Sequence, residues 1–80
     1  MLRSCYKVYF EHEIGGRYIV SAYQMEQGYT GDETCGISVF DLDVLDEIED
    51  REIMFEDMFH AFCEACREYE KLFESEEESA

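Results

Sequence analysis

The chain contains no proline, no tryptophan and no asparagine, and only two lysines among its 80 residues. Without asparagine there is no acceptor for N-glycosylation. No apolar run approaches the roughly 18 residues that span a bilayer. The opening MLRSCYKVYFEHE also lacks the uninterrupted apolar stretch of a secretory leader. These absences predict a soluble cytoplasmic protein. The scarcity of cations excludes more: twenty-one acids against six bases give a formal net charge of -15. Direct nucleic-acid binding requires cations that displace counterions from phosphates, and adhesion to an anionic membrane requires them too, so neither is expected. The natural complement of such a chain is a basic protein surface.

Eighty residues fit one domain with one modest core, whose stability is a few to roughly ten kcal/mol. Six tyrosines and six phenylalanines suit a folded chain, where the charge alone suggests disorder. The charge is uneven. Residues 1–40 hold five acids and three bases, whereas residues 41–80 hold sixteen acids and three bases. Adaptation to high salt would explain abundant acid and few lysines, but it fits the aromatic content and four cysteines less well. The expected organisation is a single domain over residues 1–75 and a disordered acidic tail over 76–80.

The first third alternates. Tyr6, Val8 and Phe10 fall on one strand face, with Cys5, Lys7, Tyr9 and Glu11 on the other. Gly15-Gly16 interrupts two such runs, a hairpin signal because both glycines accept positive φ. A two-residue loop pairs Phe10 with Ser21; a three-residue loop pairs Phe10 with Val20 and gives the more apolar face. Residues 26–36 read as a loop, and a short third strand runs from Ile37 to Asp41. From about Asp50 the period becomes helical: Phe55, Phe59, Phe62, Cys66, Tyr69 and Phe73 form a stripe, widened by Met58, Ala65 and Leu72. Residues 50–74 would make a helix of about 37 Å. The fold class is α+β, three antiparallel strands packed against a long C-terminal helix. That helix is kinked or preceded by a shorter one over 43–50, because Val44 and Ile48 extend the stripe while Ile53 leaves it. Tyr9, Tyr18 or Tyr23 lies on the free sheet face, depending on register.

Chemistry-bearing constellations are few. Cys63 and Cys66 form CEAC after His60, but helical spacing buries Cys66, puts Cys63 at the stripe's edge and leaves His60 in water, so the three do not converge on zinc. The motif also lies well inside the helical pattern, where no helix N-terminus stabilises a thiolate. Free thiols suit a cytosolic chain better than disulfides. Asp41, Asp43, Asp46 and Glu47 resemble a calcium loop only superficially: Leu45 takes a ligand position and no glycine follows. His12 and His60 sit in no nucleophile–base arrangement, and no glycine-rich phosphate loop is present. The expectation is therefore no catalytic residue, no metal and no cofactor.

What remains is the acidic run DLDVLDEIEDREIMFED, residues 41–57, with eight acids between Asp43 and Asp57. An ordinary solvated helix mixes lysine with glutamate at i,i+4, and this run offers Arg51 alone. Wound as a helix, Asp43 to Asp57 would set one acid per ~2.8 Å, the same order as the phosphates of duplex DNA, one per ~1.7 Å. The candidate partner-binding residues are Asp41, Asp43, Asp46, Glu47, Glu49, Asp50, Glu52, Glu56 and Asp57. In its hairpin YKVYFEHEIGGRYIVSAY, its acid run and its size, the chain resembles the small acidic inhibitors carried by phages, including anti-CRISPR proteins and other DNA mimics. The resemblance implies an inhibitor, in the host cytoplasm, that occupies the nucleic-acid- or PAM-reading surface of a CRISPR effector or similar basic protein. The competing expectation is an adaptor or homodimerising module whose acidity serves only solubility.

Overall fold

The computed structural model describes residues 6–25 and 34–78. Four antiparallel strands stand side by side in chain order: β1 (Tyr6–Ile14), β2 (Tyr18–Met25), β3 (Thr34–Asp41) and β4 (Asp46–Met54). A 3-10 turn, Phe55–Asp57, leads into a 21-residue helix, α1 (Met58–Glu78), which lies across one face of the sheet. The molecule measures 47 × 31 × 15 Å, and the smallest dimension is that of one sheet and one helix. The second face of the sheet therefore carries no layer among the described residues. The α+β class stands, with one strand more than the three expected.

The β1–β2 hairpin shows how local chemistry sets register. Its loop is Gly15–Arg17, closed by the Arg17 amide donating to the Ile14 carbonyl at 2.9 Å. Ile14 pairs with Tyr18 and Phe10 with Ala22, so neither expected register is found. The pairing gathers Ile14, Tyr18, Val20 and Ala22 onto one buried face. Gly15 (φ 59°) and Gly16 (φ 70°) are left-handed, and the Phe73 ring of α1 lies where a Cβ on Gly15 would go. Gly15→Ala should therefore cost about 1–2 kcal/mol of backbone strain and displace Phe73 as well. Gly16→Ala, whose Cβ would meet only Glu13 at an ordinary 3.9 Å, bears the backbone cost alone. Urea denaturation of the two variants should show the larger loss at Gly15.

A bulge between Val8 and Phe10 breaks the alternation expected of β1. Tyr9 and Phe10 both reach the helix side, where Tyr9 meets Phe55 at 5.6 Å and Phe10 meets Phe59 and Phe62 at 5.5 and 5.3 Å. Val8 turns to the other face, so Tyr6, Val8 and Phe10 do not form one continuous row. Residues 26–33 of the expected loop lie outside the described residues; Thr34, Cys35 and Gly36, expected in that loop, begin β3.

The largest correction is in the acid run. Leu42 to Leu45 form a turn, with the Leu45 amide donating to the Asp41 carbonyl at 2.8 Å, and Asp46–Met54 is a strand paired with β3. No helix exists over 43–54. Val44 and Leu45 are 59% and 73% exposed, so Val44 does not anchor the run to the core. The strand wins because it satisfies the open edge of β3. It also places Ile53 opposite Cys35 and against the core, where a helix would leave Ile53 in water. A bulge at Ile48 leaves that side chain 45% exposed.

The core is Ile14, Tyr18, Val20, Ala22, Cys35, Ile37 and Val39 from the sheet, closed by Met58 and Ala65 of α1. Phe62, Cys66, Tyr69 and Phe73 pack at its margin as the stripe predicts, while Phe59 and Leu72 remain 63% and 45% exposed. Beginning at Met58, α1 is about 31 Å long, shorter than expected. It also runs through Ser75 to Glu78, into the segment expected as a disordered tail; Glu76 accepts from both Arg17 and Tyr18. Residues 79–80 lie outside the described residues.

Candidate partner-binding surface

Strand registers fix which side chains share the uncovered face. Running across the sheet from β1 to β4, one row is Glu13, Ile19, Phe40 and Glu47, and the next is Glu11, Ser21, Ser38 and Asp50. The third is Val8, Tyr23, Gly36 and Glu52. Each row after its first two strands ends on an acid of β4, and two of the three begin on an acid of β1. Ile48, left unpaired by the bulge opposite Val39 and Phe40, is 45% exposed. Among the described residues, no lysine or arginine projects from this face. Its middle is apolar or hydroxylic, its two edges are anionic, and Glu11, Glu13, Glu47, Asp50 and Glu52 are all exposed.

Tyr23 braces this face. Its ring lies directly over Gly36, where any Cβ would collide with it, and its hydroxyl donates to Asp50 at 2.7 Å. The carboxylate is thereby held by a neighbour two strands away. Of the three tyrosines considered for the free face, only Tyr23 lies there; Tyr18 is buried in the core and Tyr9 faces the helix.

The nine candidate acids separate by face. Glu47, Asp50 and Glu52 belong to the uncovered side. Asp46 is exposed at the start of β4, where its carboxylate accepts from the Glu47 amide. Glu56 and Asp57 are exposed in the 3-10 turn, at the far end of β4. Glu49 points toward the helix, half-buried, and accepts from the Tyr69 hydroxyl at 2.8 Å. Asp41 is buried and belongs to a structural cluster: Arg17 pairs with Asp41, Asp43 and Glu76, joining the hairpin loop, the β3–β4 turn and the end of α1. Burial alone would raise the Asp41 carboxyl, but hydrogen bonds from Arg17 and from the amides of Asp43 and Val44 outweigh it and hold it below the ordinary carboxylate range. Asp41 and Glu49 are therefore engaged within the protein and are withdrawn from the candidate surface; exposed Asp43 keeps one flank to Arg17.

Sequence reasoning missed Glu11 and Glu13. Their signal was present in FEHEI, where the acids alternate with Phe10, His12 and Ile14 and so take the face opposite Ile14.

Two of the thiols, Cys35 and Cys66, are disfavoured as thiolates by burial. Burial pushes the Cys66 thiol up to about 11, and burial also raises Cys35. Among the described residues, no three His, Cys, Asp or Glu side chains are grouped to hold a metal ion, and Cys5 lies outside them. Burial, aided by donation to Glu49, pushes the Tyr69 hydroxyl up to about 12. Both folded values exceed the ordinary 9 and 10 of the free groups. Their contribution to stability is thus complete below about pH 9 and disappears as pH rises through about 12. Urea midpoints measured across this interval should fall, and Tyr69→Phe should flatten the upper part of the decline.

Among the described residues, no helix is long and apolar enough to cross a membrane. Comparison of the chain with protein-family models, with curated proteins and with solved structures found no match.

Proposed function

We propose that this protein is a non-enzymatic binding protein that seats itself on a basic, nucleic-acid-binding partner and keeps nucleic acid away by presenting carboxylates in place of phosphates. A CRISPR effector is the partner implied by the resemblance to phage inhibitors, and the setting is then the host cytoplasm. The observation that carries the reading is the uncovered sheet face, edged by acids of β1 and β4 and empty of cations among the described residues. Along β4, exposed Glu47, Asp50 and Glu52 share the uncovered face, and the Asp50-to-Glu52 step is about 6.6 Å. That interval is close to twice the ~3.4 Å per phosphate along one strand of DNA. A hydrogen-bonded strand holds charges at constant intervals, which a mobile acidic tail does not. Such a surface accelerates encounter with a cationic groove and loses force with salt.

The test is capture of the partner on immobilised protein followed by competition with duplex DNA. The expected partner binds DNA, releases it when this protein is added, and associates about tenfold more slowly as ionic strength rises from about 0.05 to 0.2 M. A partner that holds DNA and this protein together would overturn the proposal.

One observation favours the adaptor reading. Phe10, Phe55 and Phe59, at 36%, 40% and 63% exposure, form an apolar patch where β1 meets the start of α1: Phe10 packs on Phe59, and Phe55 on neighbouring Tyr9. If that patch joins two copies, sedimentation shows a dimer insensitive to salt, and Phe59→Glu converts it to a monomer.

A further inference from the structure

We propose that the uncovered sheet face is a seat for one basic amphipathic α-helix of the partner, lying along β2 and β3 between the two acidic edges. The inference rests on the reading that the partner is a basic nucleic-acid-binding protein, and it names the element of that partner that is gripped. Three features lead to it.

The first is width. The acids of β1 and of β4 are separated by three inter-strand gaps, about 14 Å in all. A helix with its side chains is about 10–12 Å across, so one helix fits between the rows and two do not. The second is the floor. Ile19, Phe40 and Tyr23 offer apolar surface, and Ser21 and Ser38 leave a shallow place between them. A helix presenting an apolar stripe would complete the second layer that the sheet lacks among the described residues. The third is charge. Glu11 and Glu13 on one side, and Glu47, Asp50 and Glu52 on the other, would meet cations on both flanks of that helix.

The same combination is what a recognition helix encounters in DNA. The major groove is about 12 Å wide, admits an α-helix, and is bordered on both sides by phosphates. The face thus reproduces a groove's two anionic walls and its spacing, with a sheet as floor. A second copy of this chain is a poor occupant, because two such faces would oppose acids to acids.

Two labelled synthetic peptides of 18 residues and identical composition (Lys, Arg, Leu, Ala) provide the probe. In one the leucines recur at helical spacing with cations on both flanks; in the other the order is permuted to destroy the stripe. The amphipathic peptide should bind the whole protein about tenfold more tightly than the permuted one, since only it can use floor and walls together. Its addition should shift the methyl resonances of Ile19 and leave those of Ile14 and Ile37 in place. Ser38→Trp fills the middle of the floor and should weaken the amphipathic peptide about 30-fold, the scale of a lost hot spot. Should that variant fail to fold, Ser21→Arg places a cation at the same level, and the methyl map of the unaltered protein stands regardless.

Equal binding of both peptides, or shifts confined to the β3–β4 turn or the outer side of α1, would overturn the seat. The two proposals separate cleanly. If Ser38→Trp still displaces DNA from the captured partner while reversal of the β4 acids does not, phosphate mimicry survives and the helix seat falls. If the amphipathic peptide binds as described but no captured partner releases DNA, the seat survives and the mimicry falls.

Discussion

Reversing Glu47, Asp50 and Glu52 to lysine together should slow association with the proposed basic partner about 100-fold at low ionic strength, within the range that electrostatic steering provides. The fold should survive, because all three side chains are exposed on the uncovered face and only Asp50 loses a hydrogen bond, the one from Tyr23. Three reversals raise the net charge by six, so placement must be separated from net charge. Glu64→Lys, Glu68→Lys and Glu74→Lys on the exposed side of α1 make the same change far from the uncovered face. That control should keep most of the association rate. Stopped-flow measurements of both triple variants at two salt concentrations decide the matter, and equal losses would mean that net charge alone governs binding.

Ile37→Ala has the largest expected effect on stability. Ile37 lies fully buried on a central strand beneath the helix, and truncating such a side chain typically costs 2–5 kcal/mol, roughly, through lost burial and the cavity left behind. The whole domain has about 4–12 kcal/mol to lose, so one methyl-bearing side chain accounts for a large part of it. Val44→Ala is the informative companion. On a buried helical stripe Val44 would matter; in the observed turn it is 59% exposed and its truncation should leave the urea midpoint within about 0.5 kcal/mol of the parent.

Much of the fold was legible in the sequence, and what was not has identifiable causes. The Gly-Gly hairpin and the aromatic stripe from Phe62 to Phe73 follow from local periodicity and φ preference alone. The bulges at Tyr9 and Ile48 were invisible because one extra residue inverts the alternation, and only pairing reveals it. β4 was misread for a related reason. Val44, Ile48 and Phe55 happen to fall four and seven residues apart, and five of nine residues in Asp46–Met54 are acids, which are depleted in strands. An edge strand tolerates them, and charge on an edge also discourages pairing with another chain. Its identity is decided by β3, which no local pattern displays. Composition singles out the candidate acids but does not say which way a carboxylate faces. Asp41 turned out to serve Arg17, Glu49 to serve Tyr69, and the opposing pair Glu11 and Glu13 came from a strand forty residues away in the chain.

Display of carboxylates at fixed intervals requires that Asp46–Met54 be a strand and not a helix or a mobile run. Amide hydrogen exchange followed by NMR reads this residue by residue. As an edge strand, β4 should show slow and fast amides in alternation, those directed at β3 protected and those directed outward exchanging freely, with one irregularity at Ile48. Unbroken protection from Asp46 to Met54, as in a helix, or uniformly rapid exchange, would contradict it.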